Sequence, residues 1–142
     1  MSCSPVTASM QGKTCVITGA NTGIGKAAAE ALASLGAQLV IVCRDRDKGE
    51  RARADISSAG QRGGKGGSVE LRIADLSSQS EIRAVAGDIL RAHPRIDVLV
   101  NNAGLALKRR ELTVDGIERT FAVNYLAYFM LANLLLPGLR AA

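Results

Sequence analysis

The chain has 142 residues, 47% hydrophobic and 22% charged, which suits one folded domain with its own core and excludes a disordered tail. No apolar run approaches the ~20 residues needed to cross a bilayer, and Met1 to Met10 lacks the basic and apolar regions of a secretory leader, so no membrane anchor is expected and the chain is read as cytoplasmic. The net charge of +5 calls for an anionic partner, but with aromatic residues at 3% there are no stacking platforms for nucleic acid, so a phosphate-rich cofactor is expected instead. Cys3, Cys15 and Cys43 form no C-x-x-C pair, and two of them lie in apolar runs. They read as small buried hydrophobes in a reducing compartment, with no disulfide and no metal.

Residues 1–11 are a polar tail, and 12–142 read as one domain. Thr14 to Thr18 is a short β-branched run between Gly12 and Gly19, hence a buried strand. After a glycine-rich turn, Ile24, Ala27, Ala28, Ala31, Leu32 and Leu35 recur at helical spacing, and Gly36 supplies the stop. Leu39 to Cys43 is a second continuous apolar run, as a strand buried on both faces of a parallel sheet requires. Asp45 to Ser58 reads as an exposed helix, and Gly60 to Ser68, with five glycines and two basic residues, as a flexible loop. Val69, Leu71 and Ile73 alternate with Glu70 and Arg72 in a third strand, more exposed on one face. Ser78 and Glu81 have capping-box spacing ahead of a helical stripe of Ile82, Val85, Ala86, Ile89 and Leu90 that stops at Pro94. Ile96 to Val100 is a fourth strand, and a last helix is expected from about Thr113 to Leu136, with Pro137 and Gly138 after it. Strands alternating with helices through short joints, under right-handed crossovers, give an α/β fold: a Rossmann-type, doubly wound parallel sheet of order 3-2-1-4.

The run Thr18-Gly19-Ala20-Asn21-Thr22-Gly23-Ile24-Gly25 lies between a strand and a helix, where a dinucleotide pyrophosphate is bound. Gly19 permits the sharp turn, Gly23 lets backbone approach phosphate, and Gly25 lets helix and strand pack closely. The helix N-terminus then directs free N–H groups at the anion. At the end of the second strand, where many dehydrogenases carry an acid for the ribose hydroxyls, the chain reads Cys43-Arg44-Asp45-Arg46. Arg44 suits the 2′-phosphate of NADP, since a guanidinium pairs with phosphate as a fork, and Arg46 adds to the field. NADP(H) is therefore expected ahead of NAD, with Asp45 keeping NAD use open.

The glycines are spaced G-x-x-x-G-x-G, and Thr18 to Gly25 resembles the T-G-x-x-x-G-x-G motif of the short-chain dehydrogenases/reductases. Further matches follow in order. Asp75-Leu76 stands where that family has its adenine-contacting Asp, Asn101-Asn102-Ala103-Gly104 is its N-N-A-G motif, and Phe121-Ala122-Val123-Asn124 carries its catalytic Asn. The resemblance covers nearly everything after Met10, and the wording is similar to the retinol dehydrogenase-like branch, although Asn124-Tyr125-Leu126-Ala127 departs from that branch's N-H-L-G. It implies a cofactor site built from Thr18, Gly19, Asn21, Thr22, Gly23, Ile24, Gly25, Arg44, Asp75, Leu76, Asn101, Ala103 and Gly104, with Asn124 as the one member of the catalytic set present. It also implies hydride transfer between the nicotinamide and a small carbonyl or alcohol substrate, with a Ser and a Tyr-x-x-x-Lys handling the oxygen and the proton.

Those last groups lie beyond the 142 residues: Tyr125 is followed four positions on by Phe129, and Tyr128 by Ala132. Both tyrosines, with Phe121 and Met130, read as core. His93, beside Pro94, reads as a helix-end cation, and Lys108 to Arg110 as a solvated basic loop. The chain is thus expected to be the cofactor-binding half of an NADP(H)-dependent oxidoreductase, truncated after the fourth strand and the following helix and inactive alone. A non-catalytic nucleotide-binding module and an inactive remnant are the alternatives. The open edge at Val98 to Val100 and the last helix are expected to promote self-association.

Overall fold

The computed structural model describes residues 8–142, so Cys3 and the first part of the polar tail lie outside the described residues. Four parallel strands, β1 (Thr14–Thr18), β2 (Gln38–Cys43), β3 (Val69–Ile73) and β4 (Val98–Val100), form one sheet in the order β3-β2-β1-β4. The central pair is buried throughout except at Gln38, as the continuous apolar runs require of strands covered on both faces.

Alternation along these strands separates two cores. Cys15, Ile17, Leu39 and Ile41 face the helices α1 (Gly23–Ser34) and α2 (Arg46–Arg62), meeting Ala29, Ala33, Ala52 and Ile56. Val16, Val40 and Val42 face the opposite way, toward Ile82, Val85 and Ile89 of α3 (Gln79–Ala92) and Ala127 and Leu131 of α5 (Ala127–Leu134). The alanines of α1 bring that helix close to the sheet, which sets its N-terminus beside the end of β1. Each fully buried Ile or Leu in these layers contributes about 1.5–3 kcal/mol. Met10, just ahead of the expected domain start, packs on the first core and donates its N–H to Leu35 O at 2.9 Å.

Several boundaries differ from expectation. α2 runs on to Arg62, because Ala59 and Gly60 are buried and Gly60 lies against Ala33; the glycine-rich loop begins only at Gly63. β4 starts at Val98, since the Ile96 N–H pairs with Gly138 O (3.0 Å) rather than with β1. The long last helix is broken. Thr113 to Glu118 folds into a turn closed by the antiparallel bridge Leu112–Glu118, with Gly116 at a φ of 74°. Helical backbone begins with α4 (Arg119–Phe121), passes through a π-helical turn (Ala122–Leu126) into α5, and resumes as α6 (Leu136–Arg140). Pro137 sits in the first turn of α6, where its missing N–H has no helical partner to lose. The Ser78 hydroxyl caps α3 through the Glu81 N–H, but the Glu81 carboxylate takes the Asp75 N–H (2.7 Å) instead of completing the reciprocal pair. Among the described residues no helix is long and apolar enough to cross a membrane.

Candidate functional site

A cleft of about 570 Å³ opens at the carboxyl ends of the strands, where the chain order reverses between β1 and β4. Gly19, Asn21 to Gly25, Val42 to Asp45, Lys48, Asp75, Leu76, Asn102 to Leu105 and Val123 line it.

The glycine turn shapes its floor. Gly19 has a φ of 68°, and a Cβ there would lie 2.7 Å from Ala103 Cα. A Cβ on Gly25 would collide with the Asn102 amide and with Gly19 O. Gly23, at a φ of 57°, has no atom within 4 Å of where a Cβ would stand, so its open side faces free space. α1 has an extended N-cap at Thr22 with no side-chain capping bond and no acid in its first turn. Its first N–H groups and its positive end therefore remain available to an anion. Ile24, 84% exposed, stands beside them and offers apolar surface to a ring.

Thr18 is fully buried and does not line the cleft; it ties the walls together. Its Oγ1 accepts from the N–H groups of Asn102 and Ala103, each at 3.0 Å. Asn102 Nδ2 returns the contact to Thr18 O and Gly19 O, both at 3.1 Å. Tyr128 donates its hydroxyl to Ala103 O at 2.7 Å, and Asn124 binds the Leu105 backbone at both ends of its amide, accepting from N–H at 2.9 Å and donating to O at 2.8 Å. Residues 102–105 are thus held on three sides.

At the end of β2, Arg44, Asp45 and Lys48 share the wall. Asp45 caps α2, one oxygen accepting from the Lys48 N–H at 2.9 Å, and that bond, with the Lys48 charge, holds its carboxyl below the usual range. None of the ion pairs among the described residues involves Arg44 or Lys48. Asp75 also reaches the cleft. Burial pushes its carboxyl up, but the Ser77 N–H (2.8 Å), the Ser77 hydroxyl and the charges of Arg44 and Arg119 outweigh burial and hold it below the usual range. The site therefore carries an ionised acceptor beside two cations that form no ion pair among the described residues.

Of the residues expected at the site, Gly19, Asn21 to Gly25, Arg44, Asp75, Leu76, Ala103 and Gly104 meet in the cleft. Asn124 stands behind it through Leu105. Asn101 turns away, its Nδ2 3.5 Å from Tyr128 O and its Oδ1 buried without a partner. Arg46 opens α2 outside the lining. Seven lining residues were absent from the expected set: Val42, Cys43, Asp45, Lys48, Asn102, Leu105 and Val123. Asn102 was legible as the middle of the Asn101 to Gly104 run, whereas Lys48 reaches the wall because α2 begins at Arg46. Tyr125 and Phe121 are corrections: they are 63% and 50% exposed and stack on each other, with ring centroids 5.2 Å apart, instead of entering the core. Cys15 and Cys43 are free and buried, and burial raises both thiols to about 11, which makes them unreactive at neutral pH. Lys108 to Arg110 are exposed, and His93 caps α3 with Nε2 3.2 Å from Glu70.

Comparison with known proteins gives a consistent result. The profile of the family described as short chain dehydrogenase matches residues 13–142. Retinol dehydrogenase 14 of Mus musculus is 42% identical over 139 residues, a match covering 94% of this chain and 42% of that protein. Retinol dehydrogenase 13 of Homo sapiens is 43% identical over 138 residues, covering 97% and 40%. Among solved structures, a metagenomic short-chain oxidoreductase in complex with NADP superposes with a TM-score of 0.80 at 36% identity, covering 94% of this chain and 59% of that one. L-sorbose reductase from Gluconobacter frateurii, complexed with NADPH and L-sorbose, gives a TM-score of 0.75 at 30% identity, covering 94% and 49%. The chain spans about two fifths of the length of the curated relatives it matches.

Proposed function

The chain belongs to the short-chain dehydrogenase/reductase family, whose members use nicotinamide cofactors, and on that premise we propose that these 142 residues hold NADP(H) for an oxidoreductase acting on a small carbonyl or alcohol substrate. The observation that carries the choice of NADP(H) is the wall at the end of β2. Arg44 and Lys48 stand there without ion-pair partners among the described residues, while the acid between them, Asp45, is engaged as the cap of α2. A 2′-phosphate meets two cations at that wall, whereas a free ribose hydroxyl pair meets an acid with one oxygen already committed. The relatives solved with NADP and NADPH support the same choice.

The residues present fit such a cofactor. Gly23 leaves open space in front of the α1 N-terminus, where the pyrophosphate would be held by backbone N–H groups. Asp75 would accept from the adenine amino group, and Arg44 with Lys48 would bind the 2′-phosphate. Ile24 and Val123 would bound the nicotinamide end, next to Ala103 and Gly104. When bound, the cofactor supplies or accepts hydride. Asn124 keeps the loop beside that end in place, since both ends of its amide are engaged by Leu105. Proton transfer to a carbonyl oxygen needs a Tyr-x-x-x-Lys that these residues do not contain, so the proposal assigns them cofactor binding. By similarity to retinol dehydrogenases 13 and 14, a retinoid is one candidate substrate.

The test is a fluorescence titration of the wild type, Arg44→Gln and Lys48→Gln with NADPH and NADH. NADPH should bind more tightly. Arg44→Gln should weaken NADPH about tenfold or more and NADH by less than about threefold, with a smaller effect of the same kind at Lys48. Equal affinity for the two cofactors, or equal losses on mutation, would contradict the assignment.

A further inference from the structure

Arg119, the first residue of α4, lies outside the cleft lining and yet faces its carboxylate. Its Nη2 is 3.9 Å from Asp75 Oδ2, its Nη1 is 3.2 Å from Glu111, and its own N–H donates to Glu111 O at 2.9 Å. Its Nε is buried with no hydrogen-bond partner among the described residues, so the carboxylates of Asp75 and Glu111 are the groups that face the guanidinium. Asp75 is fixed from the other side as well: Oδ1 accepts from the Ser77 N–H, and its own N–H is taken by Glu81 Oε2.

We propose that Arg119 is a positioning residue for recognition of the adenine base, holding the Asp75 carboxylate so that it presents an acceptor to an amino group. This rests on the reading of Asp75 as the adenine contact. Ser77 bonds Oδ1 and the Arg119 charge faces Oδ2, so this cleft-lining carboxylate is steadied on both oxygens and still has lone pairs free to accept. An ionised carboxylate can only accept, so it pairs with the 6-amino group of adenine and opposes the 6-oxo group of hypoxanthine. The nearby charges make Arg119 necessary. Glu81 places a second negative charge next to Asp75, and a 2′-phosphate would draw Arg44, the other cation acting on Asp75, toward itself. Arg119 is then the cation left facing the carboxylate. Glu111, on the turn leading to α4, anchors Arg119 from behind and links base recognition to the segment after the N-N-A-G loop.

The experiment measures dissociation constants of the 142-residue chain for NADPH and for its deamino analogue, in which hypoxanthine replaces adenine, by fluorescence titration. The variants are Arg119→Met, Arg119→Lys, Glu111→Gln and Asp75→Asn, with a thermal melt of each. Wild type should prefer NADPH by roughly tenfold, the scale of one hydrogen bond to a charged group. Arg119→Met should reduce the preference to within about threefold while moving the affinity for the analogue less than about twofold, and Arg119→Lys should restore part of it. Should Arg119→Met fail to fold, Glu111→Gln, at an exposed position, must lower the preference in the same direction. An unchanged preference, or equal losses for both nucleotides, overturns the proposal. If wild type binds NADPH but Asp75→Asn keeps the preference, Asp75 does not read the base and the proposal falls while cofactor binding stands. If wild type binds neither nucleotide, the cofactor reading itself falls.

Discussion

At Thr18 one hydroxyl oxygen accepts from two backbone N–H groups with no solvent access, so the side chain acts as a rivet between the ends of β1 and β4. Thr18→Val keeps the shape and strands both donors. It should destabilise the chain by about 1–3 kcal/mol in urea unfolding, while Thr18→Ser should retain most of the stability; a neutral valine variant would show that water replaces the bond. Asp97 plays a comparable part at the other end of the sheet, where Lys13 Nζ (2.7 Å), the Thr14 N–H (3.0 Å) and Arg95 surround it. The Lys13 bond, then the Thr14 N–H, lower its carboxyl to about 2. A folded value below the unfolded one, near 3.9, means the contribution is fully present above about pH 4 and lost as pH falls toward 2. Thermal melts from pH 5 to 2 should therefore fall more steeply for wild type than for Asp97→Asn. Parallel curves would assign the acid sensitivity to other groups.

Among the elements, the π-helical turn gives Asn124 its reach to Leu105, and that bond pair connects α5 to the cleft loop. Asn124→Ala should cost about 1 kcal/mol, because water can partly replace the exposed bonds, and should speed exchange of the Leu105 amide. An unaltered Leu105 amide would contradict the clamp. Elements whose signal is local were legible: β1 and β2 as continuous apolar runs, α1 from its alanine stripe and Gly36, and the glycine turn from its spacing. The segment after Gly104 was not, because its form depends on distant partners. Asp115 leaves the turn to cap α3 at the Gln79 N–H (2.8 Å), and Glu118 caps α4 through Thr120 and Phe121. Helical periodicity from Thr113 onward cannot register either contact. Gly60 misled in the same way: a helix breaker by propensity, it is kept in α2 by its packing on Ala33. Within the site, chemistry-bearing residues at motif positions were legible, whereas Lys48 and Arg119 depend on where a helix begins and where a turn folds back.

For the whole molecule, the exposed surface matters most. Phe121, Tyr125 and Phe129 are each at least half exposed and recur every four residues along one stripe, and β4 is an edge strand. The 142-residue chain should associate with rising concentration in sedimentation velocity, and Tyr125→Lys with Phe129→Lys should reduce that association. A wild type monodisperse across the range would sink the expectation. Cofactor binding should also raise the melting temperature, since a ligand that binds only the folded state stabilises it.

Hydrogen exchange of the 142-residue chain with and without NADPH decides whether these residues hold the cofactor, because it reports both binding and its location. Protection is expected at Gly19 to Lys26, Arg44 to Lys48, Asp75 to Ser77 and Asn102 to Leu105, with the C-terminal part of α3 and α6 unchanged. Protection confined to other segments, or none at saturating NADPH on a folded chain, would contradict that expectation.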